Sequence, residues 1–79
     1  MNSLILYSRE DCHLCEVAEE LLATCGPEAA YEKVDIETDL NLIRRYGVRI
    51  PVLYNQSSQT ELFWPFERDD VLILAKESQ

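Results

Sequence analysis

Two cysteines separated by two residues are the part of this chain best suited to chemistry. The segment reads Cys12-His13-Leu14-Cys15 and lies between a short apolar run and a stretch with apolar residues at helical spacing. Two thiols at this spacing can ligate a metal ion, form a disulfide, or exchange electrons with another disulfide. The elements that position the two cysteines decide which of these is favoured.

The apolar run 3–7 predicts a buried strand, and the residues after it predict an amphipathic helix. Either Ser8 or Asp11 is expected to cap the start of this helix, because both side chains accept hydrogen bonds from free backbone N–H groups. Gly26 and Pro27 then end it, in the usual order for a helix C-terminus. The predicted buried face consists of Leu14, Val17, Ala18, Leu21, Leu22 and Cys25.

The middle of the chain predicts a second strand and a second helix. Residues 31–37 alternate in polarity, which predicts a strand with Val34 and Ile36 facing inward. Asp39 is expected to cap a short helix that Gly47 ends.

The last third of the chain predicts a hairpin followed by a helix. A strand lies within residues 48–54, with Pro51 at its start or edge, and a polar turn separates it from a fourth strand at 60–64. Asp69 or Asp70 is expected to start the final helix. The fold class is therefore α/β, with the order β-α-β-α-β-β-α, a four-stranded mixed sheet and helices on both faces, in a single domain over residues 1–79.

This order places the two cysteines at a strand-to-helix junction. Cys12 then lies at the helix N-terminus, where free N–H groups and the positive end of the helix dipole favour the thiolate, which is the reactive form of cysteine. Cys15 lies one turn later and is placed to attack a mixed disulfide formed at Cys12. An imidazolium at His13 would favour the thiolate further, whereas Glu10, Asp11 and Glu16 act in the opposite direction.

The same segments resemble the thioredoxin fold and, within it, the glutaredoxins. The resemblance is carried by the element order, by Y-S-R-E-D-C-H-L-C-E at 7–16 and by R-Y-G-V-R-I-P-V-L at 45–53, and the sequence is most similar to small bacterial glutaredoxin-like proteins. It implies a cytoplasmic dithiol–disulfide oxidoreductase in which Cys12 and Cys15 are catalytic. It also implies a cis peptide before Pro51 and a role for Ile50 in binding the backbone of the disulfide partner. The candidate substrate-binding residues are Arg9, His13, Arg49, Ile50 and Pro51.

Glutathione is the small co-substrate that the resemblance implies, but part of its expected site is missing. Glutaredoxins bind the glutamyl end of glutathione with a Gly-Gly segment and an aspartate after the fourth strand. Here the stretch reads F-W-P-F-E-R-D-D, so Trp64 and Phe66 stand where small residues are expected, while Asp69 or Asp70 can supply the carboxylate. We therefore expect a disulfide-containing protein or glutathione as the partner, and no bound cofactor.

Two other functions use the same residues or the same fold. A zinc site within the chain is disfavoured, because Cys25 lies ten residues after Cys15, about 15 Å along one helix, and no second ligand pair exists. No metal ligand is therefore assigned. An iron–sulfur or metal carrier that shares ligands between chains stays open, as does a non-catalytic interaction module.

Composition restricts the class of partner and the compartment. The formal net charge is −8, which argues against nucleic acid and against anionic membrane surfaces. No run of about 18 apolar residues is present, and the first residues lack the features of a signal peptide. We therefore expect a cytoplasmic monomer that binds neither nucleic acid nor membrane.

Overall fold

The regular elements follow one another in the predicted order along residues 4–77, which are the residues that this computed structural model describes. Ser3, the first residue of the predicted first strand, lies outside them. Short 3-10 turns at Pro27–Ala29 and Ile36–Thr38 flank the second strand. The strands and helices are β1 (Leu4–Ser8), α1 (His13–Ala23), β2 (Tyr31–Asp35), α2 (Leu40–Tyr46), β3 (Val52–Asn55), β4 (Thr60–Phe63) and α3 (Arg68–Lys76).

The four strands form one mixed sheet in the spatial order β2-β1-β3-β4. β1 and β2 are parallel, whereas β3 is antiparallel to both β1 and β4. The β3–β4 pair is the predicted hairpin, and β1 lies in the interior of the sheet as its continuous apolar sequence indicated. The predicted fold class is confirmed.

The helices pack on both faces of the sheet and create two apolar clusters. On one face α1 and α3 cover a core that includes Leu6 and Leu53, both fully buried. On the other face α2 covers a smaller cluster of Ile36, Tyr46 and Val52. Since side chains alternate along β1, Tyr7 contributes to the α2 face while its neighbours face α1.

The start of α1 differs from the sequence prediction in two ways. Neither Ser8 nor Asp11 caps the helix: Cys12 is the N-cap, and its Sγ accepts a hydrogen bond from the Cys15 N–H at 3.2 Å. Leu14 was predicted on the buried face, yet it is 48% exposed. The first turn of α1 therefore presents Leu14 to solvent, whereas Ala18 and Leu22 further along are buried as predicted.

The start of α3 also differs from the prediction. The helix begins at Arg68 with Glu67 as its N-cap, so neither Asp69 nor Asp70 precedes it. Asp70 instead acts from within the first turn, where its Oδ2 accepts a hydrogen bond from the Glu67 N–H at 2.9 Å. A cis peptide between Trp64 and Pro65, which the sequence did not predict, leads into this helix.

Asn55 connects the hairpin turn to the end of α3. It is fully buried, and its side-chain amide donates to the Leu74 carbonyl at 2.7 Å and the Glu77 carbonyl at 3.1 Å. Its Oδ1 accepts from the backbone N–H groups of Ser57 and Ser58. One buried amide thus satisfies backbone groups on two elements, which fixes the β3–β4 turn against α3.

Candidate active site at the start of the first helix

The two cysteines lie close together at the N-terminus of α1. Their sulfur atoms are at bonding distance, with the Cα atoms 5.2 Å apart, which is ordinary for a disulfide. Cys15 is 2% exposed, whereas Cys12 is only half-buried at the N-cap. The Cys12 sulfur is therefore the one that an incoming disulfide can reach.

The third cysteine lies away from this pair. Cys25 is buried beyond the end of α1, and its Sγ contacts the Leu21 carbonyl oxygen at 3.5 Å. It packs in the cluster between α1, α3 and the sheet, as a small apolar residue would. Of the three cysteines, Cys12 and Cys15 are therefore the two that lie close enough to form a disulfide with each other.

A groove of about 400 Å³ has one residue of the cysteine motif in its lining, although neither cysteine lines it. It brings Leu14, which stands between the two cysteines, together with Ile50, which precedes Pro51. Arg49 is its one charged residue, and its guanidinium carbon lies 5.3 Å from the centre of the Phe63 ring. The complete lining is Leu14, Val48, Arg49, Ile50, Phe63 and Trp64.

The segment 47–51 is held against the sheet through Tyr46. The Tyr46 ring stacks on Tyr7 at 4.7 Å, and its hydroxyl donates a hydrogen bond to Glu61 on β4. Its backbone carbonyl accepts from the N–H groups of Arg49 at 2.8 Å and Ile50 at 3.1 Å. This residue therefore sets the position of the turn that carries Arg49 and Ile50 into the groove.

Gly47 permits that turn by lacking a side chain. It follows α2 in a right-handed conformation, with its N–H donating to the Ile43 carbonyl at 2.8 Å. A Cβ atom at this position would lie 2.5 Å from the same carbonyl oxygen. The close approach at the end of α2 thus requires glycine, and Gly47 ends the helix as predicted.

The Ile50–Pro51 peptide is cis, as the resemblance to glutaredoxins implied. Ile50 is expected to bind a partner's backbone, and its own hydrogen bond limits which backbone groups can do so. Because the Ile50 N–H already donates to the Tyr46 carbonyl and Pro51 has no N–H, neither residue offers a partner's backbone a free N–H donor.

Arg9 and His13 do not share the groove with Arg49. Arg9 is exposed and lines a second cavity of about 280 Å³, at the carboxyl ends of the parallel strands β1 and β2. The other residues that line this cavity are Ser8, Glu10, Lys33 and Asp35. His13 is exposed at the first position of α1 and lines neither cavity. The structure thus places the two candidate arginines at separate sites.

Burial raises the pKa of the tyrosines around α1 and α2. The Tyr46 pKa is raised first by burial and then by its hydrogen bond to Glu61, and burial also raises the pKa of Tyr7. Burial, followed by a hydrogen bond to Glu19 at 3.1 Å, raises the pKa of Tyr31 to about 12. The Tyr46 and Tyr31 phenols stay protonated at neutral pH and donate hydrogen bonds to Glu61 and Glu19.

Sequence reasoning missed three residues of the groove. Leu14 was assigned to the helix core, Val48 to the vicinity of a strand, and Phe63 to a strand without a role at the site. Val48 is 98% exposed. Neither the residue spacing of a strand nor that of a helix predicts this exposure. The positions of two of these residues in the sequence indicate a place near the site: Leu14 lies inside the cysteine motif, and Val48 lies three residues before Pro51.

A protein-family comparison agrees with this geometry. The family model described as Glutaredoxin-like domain (DUF836) matches residues 3–73. The chain belongs to this glutaredoxin-like family. No curated protein matches it. The glutaredoxin-like domain and the Cys12–Cys15 pair at disulfide distance fit a redox function.

Solved structures share the fold of this glutaredoxin-like protein. The X-ray structure of Northeast Structural Genomics target protein XcR50 from X. campestris is 41% identical, with 89% of this chain and 91% of that chain covered and a TM-score of 0.78. Protein Ne2328 from Nitrosomonas europaea is 31% identical, with 85% and 82% covered and a TM-score of 0.72. A glutaredoxin from Brucella melitensis, 24% identical over 94% of this chain and 78% of that one, shares the fold with a TM-score of 0.56.

Neither a metal site nor a membrane-spanning helix is found among the described residues. Among residues 4–77, no three His, Cys, Asp or Glu side chains are grouped so that they could hold a metal ion. None of the helices within that range is long and apolar enough to cross a membrane.

Proposed function

We propose that this glutaredoxin-like protein is a dithiol–disulfide oxidoreductase that reduces disulfides of other molecules. The observation that carries the proposal is the unequal exposure of two cysteines whose sulfur atoms are at bonding distance. Cys12 is half-buried at the N-cap of α1, and Cys15 is buried one turn later. A nucleophile that a substrate can reach and a protected resolving thiol are the two parts that this reaction requires.

The reaction has two steps, both of which conserve electrons and protons. The Cys12 thiolate attacks one sulfur of the substrate disulfide, forms a mixed disulfide, and releases the other substrate sulfur as a thiolate that takes up a proton. The Cys15 thiol then loses its proton and attacks the Cys12 sulfur, which releases the second substrate thiol and leaves the Cys12–Cys15 disulfide. Two electrons and two protons pass to the substrate, and a thiol reductant must return them.

Residues around the cysteines support the first step. The N-cap position lets the Cys12 sulfur accept the Cys15 N–H, which is one of the free donors at the helix start. Such a donor favours a thiolate over a thiol at this position. Leu14, Ile50 and Pro51 border the path of the substrate, and the Ile50 carbonyl is available to its backbone.

Partner and compartment belong to the proposal as well. A disulfide-bearing protein fits the open groove, whose lining combines apolar side chains with Arg49, and glutathione serves as the alternative small substrate or as the thiol reductant. Two cysteines form one close pair and the third is free, so the chain contains no framework of structural disulfides. This use of cysteine suits the reducing cytoplasm.

Trapping the mixed disulfide tests the proposal. We expect Cys15→Ser to accumulate a covalent adduct on Cys12 when it is mixed with a peptide disulfide, because the first step proceeds and the second cannot. Cys12→Ser should form no adduct and reduce nothing, while Cys25→Ala, which changes a thiol outside the pair, should react as the wild type does. Intact and peptide mass spectrometry reads the adduct and its position. Reduction of the disulfide by Cys12→Ser would contradict the mechanism.

A further inference from the structure

Resting on this redox function, we infer that the groove lined by Leu14, Arg49 and Ile50 selects protein disulfides whose cysteine is flanked by an apolar side chain and a carboxylate. The apolar side chain enters between Leu14, Val48 and Phe63, and the carboxylate pairs with Arg49. Glutathione, which carries carboxylates but no large apolar side chain, satisfies only half of this site.

The first support is the concentration of exposed apolar surface at one place. Half of the large hydrophobic side chains that are exposed within residues 4–77 line this single groove, namely Leu14, Val48 and Phe63. Single exposed hydrophobic residues are ordinary, but a contiguous group marks a binding surface. The other members of the exposed set are Leu40, Ile43 and Ile73.

The second support is the position of the groove relative to the reacting sulfur. Leu14 lies between the two cysteines in the chain, and Ile50 precedes the cis proline. We therefore expect a polypeptide joined to Cys12 through a mixed disulfide to place its neighbouring residues at the side of the groove that Leu14 forms. With a volume of about 400 Å³, the groove falls within the size range of small-ligand sites, which suits one or two side chains of an extended segment.

The third support is that backbone pairing is restricted at this site. The Ile50 N–H is used by the Tyr46 carbonyl, so a partner strand can form fewer main-chain hydrogen bonds here than an open strand edge offers. Recognition must then depend more strongly on side chains. The apolar lining supplies that contact without requiring a particular backbone register.

The fourth support is the charge of Arg49. The groove lining contains no acidic residue, and the ion pairs between described side chains are Lys33–Glu19 and Arg45–Glu61. Arg49 is exposed, lies over the Phe63 ring, and has no carboxylate within 4.0 Å among the described residues. A cation held beside an apolar surface complements a carboxylate next to an apolar side chain.

Four disulfides and the fully reduced wild-type protein test this inference. The first two are peptide disulfides, one with Phe and Glu beside its cysteine and the other with Ser and Lys at the same positions. The other two are the small uncharged hydroxyethyl disulfide and glutathione disulfide. We expect the second-order rate constant for reduction of the Phe/Glu peptide to exceed that for the Ser/Lys peptide by roughly tenfold or more. The rate constant for glutathione disulfide should be lower than that for the Phe/Glu peptide.

Matched variants assign the preference to the groove. Val48→Ser should reduce the preference for the Phe/Glu peptide, and Arg49→Glu should shift the preference toward the peptide that carries Lys. Ile73→Ser and Arg44→Glu make the same chemical changes at exposed positions that do not line the groove, and they should behave as the wild type does. Because Val48 is 98% exposed, its substitution is not expected to unfold the chain.

The outcomes separate the inference from the function on which it rests. Equal rates for both peptides, or a preference that Val48→Ser and Arg49→Glu leave unchanged, would overturn the selectivity while the oxidoreductase function stands. Inactivity toward all four disulfides would overturn the proposed function and this inference with it.

Discussion

Tyr46 is the residue through which the fold positions the groove, and deleting its hydroxyl gives the sharpest test of that role. Tyr46 is 3% exposed, and its hydroxyl donates to the Glu61 carboxylate. A hydrogen bond to a charged group contributes about 1.5–3 kcal/mol. Glu61 keeps a second partner, since Arg45 lies 3.4 Å from the same oxygen. We therefore expect Tyr46→Phe to lower the free energy of unfolding by the lower part of this range, about 1.5–2 kcal/mol.

Urea unfolding of the oxidised protein measures this loss. With an m-value of about 1 kcal/mol/M for a chain of this size, the midpoint should fall by about 1.5–2 M. Tyr54→Phe is the matched control, because Tyr54 is half-buried near Tyr7 on the same face of the sheet and no hydrogen bond is found for its hydroxyl among the described residues. It should change the free energy of unfolding by less than about 0.5 kcal/mol.

A double-mutant cycle with Glu61→Gln then isolates the Tyr46–Glu61 interaction from other effects of either change. We expect a coupling energy of about 1 kcal/mol or more. A loss no larger for Tyr46→Phe than for Tyr54→Phe, or a coupling energy of zero, would refute the reasoning. The turn that carries Arg49 and Ile50 would then be held by the stacking of the Tyr46 ring on Tyr7 and by the backbone hydrogen bonds to the Tyr46 carbonyl.

Two further predictions concern stability. Asn55→Ala removes a fully buried amide that forms four hydrogen bonds, so it should lower the free energy of unfolding in urea by about 3 kcal/mol. Asn41→Ala, at an exposed position, should lower it by less than about 0.5 kcal/mol. Equal losses would contradict the stabilising role of the Asn55 amide. Because the Tyr31 pKa is raised to about 12, the folded state keeps a proton that the unfolded state releases above about pH 10, and stability should fall as pH rises from there. Tyr31→Phe should make this alkaline decline shallower, and an unchanged slope would argue against the shift.

The positions of the chemistry and of the sheet could be predicted from the sequence because they depend on local patterns. The apolar run before Cys12 and the alternating polarity of residues 31–37 predict two strands. Apolar residues at helical spacing after the cysteine motif predict the first helix. Pro51 marks the start of a strand because proline cannot donate to a sheet ladder. The cysteine pair at a strand-to-helix junction follows from these patterns alone.

The details that failed depend on how elements meet in space. Helical spacing shows which residues share a face, but it does not show that Leu14, in the first turn, remains exposed. Glu67, Asp69 and Asp70 are all capable of capping α3, and the point at which the chain enters the helix, which the sequence does not show, determines which of them does. Arg9 and Arg49 are both candidate substrate-binding residues in the sequence, yet they line separate cavities.

The most direct test of the central claim is a redox titration of the wild-type protein in thiol–disulfide buffers, followed by alkylation and mass spectrometry. The account predicts one reversible two-electron transition that links Cys12 to Cys15, while Cys25 remains a free thiol throughout. It also predicts that Cys12 reacts with alkylating reagent before Cys15 does, because the Cys12 sulfur is the more accessible of the two. Thiols that stay reduced across the whole range, or a disulfide that includes Cys25, would contradict the account.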